Sequence, residues 1–210
     1  MIHDKITPEL IKSFSTAIKS TRTTGQEQGF HIFKDRHGNL SPGKTFYGEE
    51  ESLQLESPQE VCYGARIQGD FHTHVFVKPL RKAIRENTGK RPSINEIRDV
   101  AIELMIWRYE EKGIKEEMSL NTPTYDDALK AILCKHENIT NGMMSIGNDL
   151  DEDNVEFWTV KENITDKDYR KALNELGRRY KREKSGESNS QAMEKWIISL
   201  FEKETIDLRN

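Results

Sequence analysis

The chain is 210 residues long, 34% hydrophobic and 32% charged, with 36 acidic and 32 basic side chains and a net charge of −4. Such a length suits one domain with a modest core, and the slight acidic excess gives no argument for a nucleic-acid partner. No apolar run approaches the ~20 residues of a membrane span, the first residues lack the apolar core of a secretory signal, and the two cysteines, Cys62 and Cys134, make no disulfide framework, so a cytoplasmic protein is expected.

Thr7-Pro8-Glu9 supplies an N-cap, a first-turn proline and a first-turn acid. Leu10, Ile11, Phe14, Ala17 and Ile18 then recur at helical spacing, which predicts a helix to about residue 20, with Gly25 ending the connection. Alternation over 27–34 predicts a strand, 35–39 a turn and 45–47 a returning strand, while Glu49-Glu50-Glu51 reads as solvated loop. The stretch 61–67 reads as a strand that turns at Gln68-Gly69-Asp70 into a second strand over 71–74. A short basic helix over 79–87 closes at Gly89. A long helix over 93–112 puts Ile97, Val100, Ala101, Leu104 and Met105 on one face and stops at Gly113, and another runs from Thr124 to about 135 with Ala128, Leu129, Ile132 and Leu133 inward.

Strands over 143–147 and 155–160 follow, joined by the acidic turn 148–154. Thr165 and Asp168 open a helix whose stripe is Tyr169, Ala172, Leu173, Leu176 and Tyr180, and 184–190 reads as a linker. Ser190 caps a last helix carrying Met193, Trp196, Ile197, Leu200 and Phe201; these large residues either dock on the core or form a homodimer contact. The order of elements gives an α+β class, a mixed or antiparallel sheet flanked by helices.

Chemistry concentrates in Gly69-Asp70-Phe71-His72-Thr73-His74. On a strand, residues two apart share a face, so His72 and His74 present two imidazoles side by side, half of a tetrahedral zinc site. Two ordinary histidines on a polar face would look the same, so the missing ligand and base have to come from elsewhere in the chain. Cys134 and His136 lie one residue apart on a helix, do not share a face, and read as neither ligand.

Glu27 in a first strand, Phe71-His72-Thr73-His74 at a later strand end, Pro123-Thr124-Tyr125-Asp126-Asp127 opening a helix and the strand pair after it follow one another in an order that resembles the JAMM (JAB/MPN) metalloprotease family, over roughly residues 25–161. In that family a Ser-x-x-Asp stands shortly after the second histidine. Here the gap to Thr124 is long and Thr replaces Ser, while the nearer Pro92-Ser93-Ile94-Asn95-Glu96 keeps the Ser and puts Glu in place of Asp. Each pair also reads as a helix capping box, which suits Ser93 with Glu96 better; the direct run from its helix into residue 143 favours Asp127.

The resemblance implies a cytidine-deaminase-like core over 1–164 with a helical insertion at about 76–122, and a C-terminal helical extension over 165–210. It implies one Zn2+ held by His72, His74 and Asp127, Glu27 as general base, and Thr124 (or Ser93) as hydrogen-bond donor to the tetrahedral oxyanion. The expected reaction is hydrolysis of an amide or isopeptide bond in a protein or peptide, including ubiquitin-like modifiers. Two alternatives stay open: a non-catalytic MPN-like scaffold, and a nucleic-acid-associated protein using the basic residues Lys78, Arg81, Lys82, Arg85, Lys90 and Arg91 of the insertion.

Overall fold

A computed structural model describes residues 2–48, 65–110, 119–185 and 191–209. The strand expected over 61–64, Cys62, the acidic run 49–51, the stop at Gly113 and the cap at Ser190 lie outside these residues, as does most of the 184–190 linker. After a short 3-10 turn at His3–Lys5, the order is α1 (Pro8–Thr24), β1 (Gln28–Lys34), β2 (Leu40–Pro42), β3 (Phe46–Tyr47), β4 (Arg66–His74), α2 (Val77–Thr88), α3 (Ile94–Glu110), α4 (Tyr125–His136), β5 (Met143–Asn148), β6 (Asp151–Val160), α5 (Asp166–Ser185), α6 (Gln191–Ile198) and β7 (Phe201–Asp207). The fold is α+β. One curled mixed sheet has the order β2-β1-β4-β5-β6-β7, with β3 also paired to β1. Among the described strands only the β4–β5 pair is parallel; the other pairs are antiparallel.

Helix α1 covers one face. Thr7 accepts from the Leu10 N–H at 3.3 Å and donates to the Leu40 carbonyl at 2.7 Å, so the residue that starts the helix also ties it to β2. Leu10, Phe14, Ala17 and Ile18 bury against Phe30 and Ile32 of β1, Phe71 of β4, Val155 and Phe157 of β6 and Ile206 of β7. Phe14 sits at the centre, its ring 4.7 Å from that of Phe71 and 5.7 Å from those of Phe30 and Phe157. Helices α4, α5 and α6 cover the opposite face through Ala128, Leu129, Ile132, Ala172, Ile197 and Ile198, packed on Met144, Ile146, Trp158, Val160 and Phe201. Helices α2 and α3 form a third cluster, in which Val77, Ile97 and Ala101 close over Leu150. On α3 and α5 the predicted stripes are narrower than expected, since Leu104 and Leu173 are exposed.

Three local expectations differ from the structure. Gln68-Gly69-Asp70 is not a turn: β4 passes through it. A Cβ at Gly69 would lie 1.7 Å from the Met143 carbonyl oxygen, so this glycine admits the neighbouring strand rather than a reversal. Residues 201–207 are not the end of a helix but strand β7, registered along β6 from Val160↔Phe201 to Asn154↔Asp207. The stripe Trp196-Ile197-Leu200-Phe201 therefore spans a helix, a turn and a strand start, and its buried members pack within the chain. The acidic 148–154 connection is shorter than expected: Asp149 and Leu150 make the turn, and β6 begins at Asp151. Among the described residues no helix is long and apolar enough to cross a membrane.

Candidate metal centre

The alternation of β4 sets the site. Phe71 and Thr73 turn toward α1, where the Thr73 and Thr21 hydroxyls share a buried 2.6 Å hydrogen bond and the Gln28 N–H donates to Thr73 at 2.9 Å. His72 and His74 consequently turn toward α4, with ring centroids 5.2 Å apart. Across β1, the residue paired with His72 is Gly29, which adds no side chain beside the imidazole.

The carboxylate arrives on the first turn of α4. The approach to that helix is pinned over the ends of the parallel strands and β6. Ser119 donates to Glu156 at 2.7 Å, Asn148 donates to the Asn121 side-chain oxygen at 2.6 Å, and the Trp158 indole donates to the Asn121 carbonyl at 3.1 Å. Thr124 then caps α4, accepting from the Asp127 N–H at 3.3 Å, while the Asp127 carboxylate accepts the Thr124 N–H at 3.2 Å and the Thr124 hydroxyl. This capping box turns Asp127 Oδ2 to within 3.6 Å of His72 Nε2. Two ligands each ~2.0–2.1 Å from a tetrahedral zinc lie roughly 3.4 Å apart, so the separation suits a shared metal.

Among the described residues, His74 keeps one of its two ring nitrogens unpartnered. Its Nδ1–H donates to the Leu120 carbonyl at 3.1 Å, which fixes the tautomer and leaves the Nε2 lone pair free. That Nε2 is shut off from solvent and has no hydrogen-bond partner among the described residues. Burial, and then the neighbouring His72, push its pKa down to about 4, so it is neutral at neutral pH, as a metal ligand must be. Asp127 is held below its ordinary value despite a burial penalty, chiefly because His72 and the Thr124 hydroxyl favour its charge.

Glu27 stands at the entry to β1, its carbonyl accepting the Gly48 N–H at 2.8 Å. Its carboxyl is pushed up to about 7, first by burial and then by the Asp127 charge, which places the two acids within electrostatic reach of each other. The structure thus brings Glu27, His72, His74, Asp127 and Thr124 to one end of the sheet. It keeps Ser93 and Glu96 away from them: these form an exposed capping box on α3, with the Ser93 N–H donating to Glu96 at 2.7 Å and the Glu96 N–H donating to Ser93 at 3.2 Å. Among the described residues, no group of three or more His, Cys, Asp and Glu is placed so that it could hold a metal ion. The His72–Asp127 separation and the unpartnered Nε2 of His74 are the two observations here that bear on a metal.

Several supporting residues carry no motif. The Leu120 carbonyl, Asn121 and Asn148 act through position, and Asp149 holds the chain as it leaves His74 by accepting the Phe76 N–H at 2.8 Å and the Val77 N–H at 3.1 Å. The one sequence signal for them is the run Asn121-Thr122-Pro123-Thr124, polar turn chemistry leading into a cap. Compared with known proteins, the chain matches no family model, no curated protein and no solved structure.

Proposed function

We propose that the chain is a zinc-dependent amide hydrolase of JAMM type, with His72, His74 and Asp127 holding the metal and Glu27 moving the proton. The observation that carries this reading is the half-buried His74 imidazole: neutral, oriented by Leu120, and with its solvent-shielded remaining nitrogen unpartnered next to the His72 ring. Zn2+ bound there would act as a Lewis acid and lower the pKa of a water toward ~7. The other roles fall to the chain's own groups. Glu27, poised near 7, takes a proton at neutral pH and returns it to the leaving amine. Thr124 orients Asp127, since its hydroxyl already donates to that carboxylate; to serve an oxyanion it would have to turn away from Asp127. The substrate class is an amide or isopeptide bond of a protein or peptide, ubiquitin-like conjugates included.

One observation favours a second reading, a non-catalytic MPN-like scaffold: the Thr124–Asp127 bonds are those of an ordinary capping box, which needs no metal. Hydrolysis of a lysine-isopeptide-linked conjugate separates the two. The hydrolase reading expects cleavage that chelation stops and zinc restores. A protein that takes up no zinc and cleaves neither conjugates nor peptides is the scaffold.

A further inference from the structure

Helix α2 leaves the candidate site directly. It begins at Val77, three residues after His74, and its first N–H groups are held by Asp149. Lys78 lies against Gly25, just before the entry to β1. Its aliphatic stem covers Gly25, where a Cβ would come within 2.2 Å of Lys78 Cδ, and Gly25 is two residues from Glu27. From there Lys78, Lys82 and Arg85 follow one another at helical spacing along an exposed stripe, with Leu80 and Ile84 turned inward to the third core cluster. Residues 77–92 carry six basic side chains and one acid, Glu86, in a chain whose net charge is −4. Among the described residues Lys82 and Arg85 have no ion-pair partner. The Nε of the half-buried Arg81, on the same helix, has no hydrogen-bond partner there either.

We propose that the Lys78–Lys82–Arg85 row of α2 binds an acidic segment of the protein substrate and leads it to the site. The proposal takes its direction from the amide-hydrolase reading, since the row begins four residues after His74 and packs against Gly25, two residues before Glu27. Helix α2 is about 18 Å long, the span of about five residues of extended peptide. Like charges lined up on an otherwise acidic molecule raise the local concentration of an opposite charge and fix its direction of approach. A protein segment fits better than a nucleic acid. Residues 77–92 contain no Phe, Tyr or Trp on which a base would stack.

The test measures fluorescence anisotropy of a labelled Asp/Glu-rich peptide with the full chain after chelator treatment. The same peptide with Lys in place of its acids, and a thymidine oligonucleotide, are run beside it. The expected result is binding of the acidic peptide alone, weakened by salt and reduced roughly tenfold or more in Lys82→Glu/Arg85→Glu, both exposed positions whose reversal leaves the core untouched. Unchanged affinity in that variant overturns the proposal, as does equal binding of the basic peptide or tighter binding of the oligonucleotide. His72→Ala/His74→Ala should bind the acidic peptide as the native chain does. Because metal is absent throughout, failure of the zinc site and failure of the basic row give separate results.

Discussion

His72 Nε2 and Asp127 Oδ2 lie 3.6 Å apart although one is on a strand and the other on a helix reached only after two intervening helices. The Thr124 cap makes this proximity, because it fixes the rotation of the Asp127 side chain. Asp127→Ala should therefore lower zinc affinity by at least about a hundredfold, as loss of one of three protein ligands does. Glu96→Ala should leave affinity unchanged and weaken only the α3 cap. Zinc titration of the two purified variants checks both, and affinity lost in the Glu96 variant but kept in the Asp127 variant would move the ligand to α3.

Glu27→Gln should keep zinc and lose amide hydrolysis by about a hundredfold or more, since the amide preserves shape but accepts no proton. Metal content measured with turnover tells a base from a ligand: a variant that loses zinc as well would make Glu27 a ligand.

Glu27 also predicts a pH effect in the chelator-treated protein. Its folded pKa, about 7, is above its ordinary 4.5, so the folded state favours the neutral carboxyl. The associated stability is fully present below 4.5 and is lost as pH rises through 7. Glutamine mimics the neutral form. The variant should thus unfold like the native chain at acid pH and be more stable than it at alkaline pH, by about 1–2 kcal/mol after allowance for partial solvent screening of this carboxyl. Urea unfolding at the two extremes decides, and equal stability at both would mean that Glu27 is not buried beside Asp127.

Thr73→Val removes the hydroxyl that bonds Thr21 and the Gln28 N–H behind the two histidines. The shape is retained and two buried partners lose their bond, so a loss of about 1–3 kcal/mol is expected in thermal or urea unfolding. No change would mean that water replaces the hydroxyl.

Ile206→Ala should cost about 2–4 kcal/mol. Ile206 is 1% exposed and sits in the α1 cluster, so β7 is part of the core rather than an appendage. A variant as stable as the native chain would detach β7 from the sheet.

The sequence made the class and most elements legible, because periodicity reports burial: Leu10, Phe14 and Ile18 repeat at helical spacing, and caps such as Thr7-Pro8 mark where helices begin. The shared face of His72 and His74 follows from strand geometry alone. What stayed hidden depended on partners distant in sequence. Gly69 looked like a turn because its reason, the Met143 carbonyl, belongs to another strand. Residues 201–207 looked helical because Trp196, Ile197, Leu200 and Phe201 mimic a helical stripe across a turn. The Leu120 carbonyl that orients His74 has no side-chain signature at all. Two similar capping motifs, Ser93 with Glu96 and Thr124 with Asp127, were both open to the ligand reading until the fold put one beside His72 and the other on an exposed helix.

Elemental analysis of the protein purified without chelators tests the metal centre most directly, run on the native chain and on His72→Ala/His74→Ala. One zinc per native chain and none in the double variant, with circular dichroism unchanged, is the predicted result. A native chain that holds no metal even after incubation with zinc, or a double variant that keeps it in full, would contradict the assignment of His72, His74 and Asp127.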